Sequence, residues 1–264
     1  MVGTDNPIRY LVSYKFRQAC RSLQNLLGPN RFSLIRDPAP LPYTVAQGAS
    51  PLFRKLSGVP QELFQNKGHN LRLAVEALRS IVIRPGEIFS FWRLVGPPTA
   101  KRGFQPGLMI QRGRAAAGIG GGLCQMSNLL HWLALQSDLE VVERHRHSFD
   151  LFPDQDRSVP FGTGATILYN YKDLRFYNST RTAFQFLLSV DDRQLQGELL
   201  CSDNLTHRYQ VVEKESGFTR KAVEWWRYNQ IWRNKFGMNG DLLEEKKLFE
   251  NNCLCRYEPL EVSG

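Results

Sequence analysis

A cysteine preceded by three glycines and followed by an apolar helical pattern stands near the middle of the chain, in Ala117-Gly118-Ile119-Gly120-Gly121-Gly122-Leu123-Cys124-Gln125-Met126-Ser127-Asn128. From Gln125 onward, Met126, Leu129, Leu130, Leu133 and Ala134 recur at three and four, the spacing of a helix with one buried face, which puts Cys124 at that helix's N-terminus. Unpaired backbone N–H groups and the positive end of the helix dipole favour an anion there, so a thiol pKa below the free value of about 8.5 is expected. Gly120, Gly121 and Gly122 can aim backbone N–H groups into the same space and, with Gln125, form a candidate oxyanion hole. The same residues also fit a flexible turn beside a small buried cysteine.

A thiol nucleophile needs a base, and Glu143-Arg144-His145-Arg146-His147-Ser148 follows the helix. The alternation of Val141, Glu143, His145, His147 and Phe149 with Val142, Arg144, Arg146 and Ser148 predicts a strand that carries both histidines on one face. An imidazole there would take the thiol proton and later protonate the leaving group. Asp150, Asp154 and Asp156 come next as carboxylates able to orient it, and which of them completes a triad stays open because such groups meet in space, not in order. Arg112 and Arg114, just before the glycines, are either a bidentate grip on a substrate carboxylate or simply solvated. Structural zinc takes four ligands and only Cys124 accompanies the two histidines, so neither a metal nor another cofactor is expected.

Four segments in order, NLRLAVEALRSIVIRPGEIFSFWRLVGP, GIGGGLCQMSN, ERHRHSFDLFP and VPFGTGATILYNYKDLRFYNST, make the run from Asn70 to Val212 resemble the VanW domain. The resemblance implies Cys124 as the nucleophile of a GGGxCQ motif and His145 and His147 as the candidates for base and orienter, in either order. It also implies an L,D-transpeptidase-like acyl transferase or hydrolase working on peptidoglycan or its precursor peptide, with a link to glycopeptide resistance. A noncatalytic accessory protein that binds a cell-wall precursor or a resistance-pathway partner is the alternative.

At 264 residues and 42% apolar content the chain can bury a large core. The net charge of +9 suits anionic surroundings, yet no nucleic-acid motif accompanies it, so no nucleic-acid partner is expected. Five cysteines, odd in number and scattered apart from Cys253 and Cys255, do not read as a disulfide framework. With no charged start and apolar run after Met1, the expectation is a cytoplasmic protein. The oligomeric state is not legible.

Arg9 to Leu27 mixes apolar and cationic positions at helical spacing, the pattern of a helix docked on its own domain or resting peripherally on an anionic membrane. Asp37 to Pro60, with five prolines, reads as a linker or wrapping loop. Asn70 is a plausible N-cap for Leu71, Leu73, Ala74, Ala77, Leu78 and Ile81. Pro85-Gly86 should turn the chain into a strand, Ile88 to Trp92, and this PGExFSF stretch reads as scaffold. Strand-like runs at 166–171, 174–177, 183–190 and 194–201 suggest an antiparallel meander, and Trp225 to Arg233 a hairpin crossing Gly237–Gly240. The expected fold is therefore α+β, helices packed on a mainly antiparallel sheet with a β-rich C-terminal extension. Residues 1–68 are assigned to an N-terminal helix and Pro-rich linker, 69–213 to the VanW-like domain, and 214–264 to an aromatic, basic β extension of it.

Overall fold

Helix α1 (Pro7–Leu27) is followed by strand β1 (Tyr43–Pro51), helix α2 (Gln61–Leu78), strands β2 (Val82–Ile83) and β3 (Ile88–Ser90), and a short helix α3 (Phe91–Val95). A hairpin of β4 (Pro106–Gln111) and β5 (Arg114–Ile119) leads into helix α4 (Leu123–Leu135), then β6 (Glu140–Glu143), β7 (Phe149–Asp150) and β8 (Arg175–Tyr177). The chain continues with β9 (Phe184–Val190), β10 (Gln194–Cys201) and the long strands β11 (His207–Lys221), β12 (Glu224–Gly237) and β13 (Leu242–Cys255). The computed structural model describes residues 7–53, 60–111, 114–147, 149–150 and 159–259.

The class is α+β, as expected. The strands form sheets ordered β1-β10-β9-β2, β11-β12-β13-β7 and β3-β8-β6, besides the β4-β5 hairpin, and among these strands of the described residues β13 and β7 are the pair that runs parallel. Helices α2 and α4 lie against the first sheet. Leu71, Ala74 and Leu78 of α2 and Met126, Leu130 and Leu133 of α4 join Phe89, Phe176, Phe184, Leu195 and Leu199 in one core. Each fully buried side chain of this size contributes roughly 1.5–3 kcal/mol.

Two glycines let α4 approach the sheet. Gly48 of β1 and Gly197 of β10 are register partners. A Cβ at Gly48 would lie 3.0 Å from Leu129 Cδ1, and one at Gly197 would lie 3.1 Å from both Leu129 and Leu133. The bare backbone is thus the floor on which the helix rests.

The structure redraws several expected boundaries. The Pro-rich segment contains β1, an edge strand with one well-buried side chain, Ala46, which is why its sequence lacks an apolar alternation. Helix α2 begins at Gln61, so Asn70 lies in its middle instead of capping it. The Ile88–Trp92 strand stops at Ser90, whose hydroxyl accepts from Arg93 N–H and caps α3. The histidine-bearing strand ends at Glu143, before either histidine. Of the meander, β9 and β10 pair as expected, whereas Arg175–Tyr177 belongs to another sheet, between β3 and β6.

Replacing Gly197 with valine should lower stability by about 1–3 kcal/mol, because the new side chain must displace Leu129 and Leu133 in a filled core. Urea unfolding of the variant against the parent measures it.

Candidate active site

Gly121 and the β4 residue Gly107 touch backbone to backbone. A Cβ at Gly107 would lie 2.6 Å from the Gly121 oxygen, and one at Gly121 would collide with the Gly107 carbonyl. The buried amide of Asn70 closes the contact, donating to Gly121 O (2.9 Å) and Gln105 O (2.9 Å) while accepting from Gln105 N–H (2.8 Å). Gly122, at φ +100°, caps α4 from a left-handed conformation, with the Lys67 side chain where a Cβ would go. The triplet is a packed corner, not a flexible turn.

Its N–H groups are mostly spent inside that corner. Gly120 N–H donates to Gln105 O (3.1 Å) and Gly121 N–H to Gly118 O (2.9 Å). Gln125 N–H makes the first bond of the helix, to Gly122 O (2.9 Å), which leaves the N–H groups of Leu123 and Cys124 ahead of the ladder. The Gln125 side-chain amide turns to the end of β1, donating to Ser50 Oγ (2.9 Å) and Pro51 O (2.9 Å). It ties α4 to the sheet and is not aimed at the sulfur. The Arg114 side chain, all of Arg112, and the Asp154 and Asp156 carboxylates lie outside the described residues.

Cys124 is the second residue of α4, half-buried, with Sγ 4.0 Å from the Ile167 carbonyl. Burial pushes its thiol above the ordinary value, only partly offset by the Ile167 backbone, and this reverses the expected depression. Desolvation raises the free energy of the thiolate more than one helix end lowers it.

The segment 163–167 runs along α4 and carries the histidine segment on its other side. Ser127 Oγ donates to Ala165 O (2.7 Å), and Thr166 N–H donates to His145 O (2.7 Å). His147 is held at both nitrogens, by Asn128 Oδ1 (3.3 Å) and Thr166 Oγ1 (2.9 Å). Because Asn128 Oδ1 also accepts Ala165 N–H (2.7 Å), it must be the acceptor for Nε2–H, which leaves the lone pair on Nδ1 facing the Thr166 hydroxyl. Close packing, then the Arg144 and Lys172 charges, brings His147 down to about 4 although part of its ring reaches solvent.

His145 turns elsewhere. Its Nε2 lies 3.0 Å from Glu143, whose carboxylate also takes two hydrogen bonds from Arg21 (2.8 Å each) and one from Asp173 N–H (3.0 Å). Burial acts to raise Glu143, but those hydrogen bonds and the Arg21 and Arg175 charges outweigh it and hold the carboxyl below its ordinary value. Asp150 accepts from Tyr257 Oη (2.7 Å) and lies beside Arg227 (3.4 Å). The sulfur and the two histidines thus occupy adjoining segments without sharing a hydrogen bond. Asn128 was legible in the sequence as the residue one turn after Cys124 on the same helix face; Thr166 carried no such signal.

A half-buried thiol opening a helix whose next turn grips an imidazole in a fixed tautomer, on an α+β scaffold, defines a class of candidate thiol proteins. Residues 66–200 match the family model described as VanW like protein, and the chain belongs to the VanW family. It is 30% identical over 224 residues to the vancomycin B-type resistance protein VanW of Enterococcus faecalis (strain ATCC 700802 / V583), covering 84% of this chain and 81% of that protein. It is 33% identical over 117 residues to the uncharacterized protein YoaR of Bacillus subtilis (strain 168), covering 43% of this chain and 36% of that one. No solved structure matches.

Two pH effects follow. Alkylation of Cys124 by iodoacetamide, mapped by mass spectrometry, should have its midpoint above the free-thiol value of about 8.5; a lower midpoint would show a thiol held ionised. His131 of α4 is fully buried, donates from Nδ1 to Thr163 O (2.6 Å), and is brought to about 3 from 6.5 by burial and then Arg144. Its folded pKa lies below its unfolded one, so the unfolded chain binds the extra proton first and stability falls as pH drops from 6.5 to about 3. The urea midpoint of His131→Gln should depend less steeply on pH across that window.

Proposed function

We propose that this chain is a cysteine-dependent acyl transferase or hydrolase acting on peptidoglycan or its precursor peptide, in the manner of an L,D-transpeptidase. We further propose that it serves glycopeptide resistance, as the name of its Enterococcus faecalis relative says of that protein. One observation carries the chemistry: Asn128, a turn beyond Cys124, and Thr166, next to the residue whose carbonyl faces the sulfur, together grip His147.

The thiol is held above its usual pKa and His147 well below, so both partners are neutral near pH 7. The pair then works by proton transfer as the substrate binds, not as a preformed thiolate and imidazolium. The sulfur attacks a peptide carbonyl, its proton passing to His147 Nδ1 by way of the Thr166 hydroxyl or in its place. The N–H groups of Leu123 and Cys124 face the oxyanion, and the imidazolium returns the proton to the leaving amine. His145, tied to Glu143, fixes the neighbouring backbone instead of touching substrate.

The second reading, a noncatalytic accessory protein that binds a cell-wall precursor, is favoured by the raised thiol pKa and by the lack, among the described residues, of a histidine in hydrogen-bond reach of the sulfur. Mass spectrometry after incubation with a peptidoglycan stem peptide separates the two. The enzyme gives an acyl adduct on Cys124 that Cys124→Ala abolishes and that forms about 10²–10⁴-fold more slowly in His147→Ala. Peptide binding with no adduct on Cys124 establishes the accessory role.

A further inference from the structure

Helix α1 is attached to the protein by its polar face. Tyr14 Oη and Gln18 Nε2 donate to Tyr169 O (3.1 and 2.8 Å), Arg21 forks onto Glu143 (2.8 Å), and Asn25 Oδ1 accepts from Arg175 (2.8 Å). These four positions form one stripe at i, i+4, i+7 and i+11. At about 100° per residue, Val12, Phe16, Leu23, Leu26 and Leu27 form a second stripe roughly 165° around the helix. They are 63, 69, 56, 79 and 73% exposed. A surface helix of a globular protein ordinarily buries that stripe.

The helix contains Arg9, Lys15, Arg17 and Arg21 and no acidic residue, within a chain of net charge +9. A second copy packed stripe to stripe would bring these like charges together, whereas an anionic surface attracts them. We infer that α1 seats the protein on an anionic lipid bilayer, lying in the interface with the Val12–Leu27 stripe in the acyl boundary and Lys15, which flanks that stripe, at the headgroups. Among the described residues no helix, α1 included, is long and apolar enough to cross a membrane. Arg21 makes it a neighbour of the site, since the Glu143 that it grips also holds His145. The inference needs only the helix's two faces and stands whether or not Cys124 is catalytic.

Cosedimentation of the full chain with vesicles tests it, using about three parts phosphatidylcholine to one part phosphatidylglycerol against phosphatidylcholine alone. The protein should pellet with the anionic vesicles and be released by salt. The variant F16E/L23E should lose at least about tenfold in partitioning with an unchanged melting temperature, because both side chains face water. Lys15→Glu should cost roughly fivefold or more, and Val223→Glu, at the exposed turn between β11 and β12, nothing. No binding to anionic vesicles, equal binding by F16E/L23E, or a solution dimer that F16E/L23E dissolves would each overturn the inference.

Discussion

The site depends on one close approach, the backbone of Gly121 against the backbone of Gly107 with the Asn70 amide bridging them. A hydrogen bond to a buried polar group that cannot be replaced by water is worth about 1–3 kcal/mol when broken. Asn70 makes three such bonds from the middle of a helix whose other face is in the core. That clamp sets where the glycine corner ends, hence where α4 begins, hence where the sulfur sits. The glycines are needed less for freedom of motion than because no side chain fits between the two strands of backbone.

Within that frame two electrostatic influences oppose each other at the sulfur. A helix end stabilises an anion by roughly 0.3–1 kcal/mol, while burial of an ionisable group can shift its pKa by several units at about 1.4 kcal/mol each. Burial wins at Cys124, and the same crowding keeps His147 neutral. The resting thiol and His147 therefore form no thiolate–imidazolium pair, and any charge that appears on them during a reaction must be stabilised by groups that arrive with the substrate or stand ready on the backbone.

Periodicity made α1, α4, β9 and β10 legible, because each buries or exposes a regular stripe. It failed at β1, where small residues lie under a helix and give no apolar rhythm, and at α2, whose first turns bury Phe64 and the stem of Lys67 instead of a run of leucines. The cysteine's place at a helix start was readable from the glycines before it. The direction of its pKa was not, since it is set by burial within the folded chain, which no motif marks. The two histidines looked equivalent by alternation, yet the strand ends at Glu143, and tertiary partners at Asn128, Thr166 and Glu143 send them to different jobs.

The parallel pairing of β13 with β7 ties the histidine segment to the last ordered strand: Leu254 pairs Phe149, and Arg146 donates to Glu250 O (2.6 Å). On a ribosome, the cysteine helix and its sheet are complete long before those partners emerge. A chain made only as far as β12 thus already carries the thiol and both side chains that hold His147, while the histidine segment still lacks the β13 strand that pins its far edge.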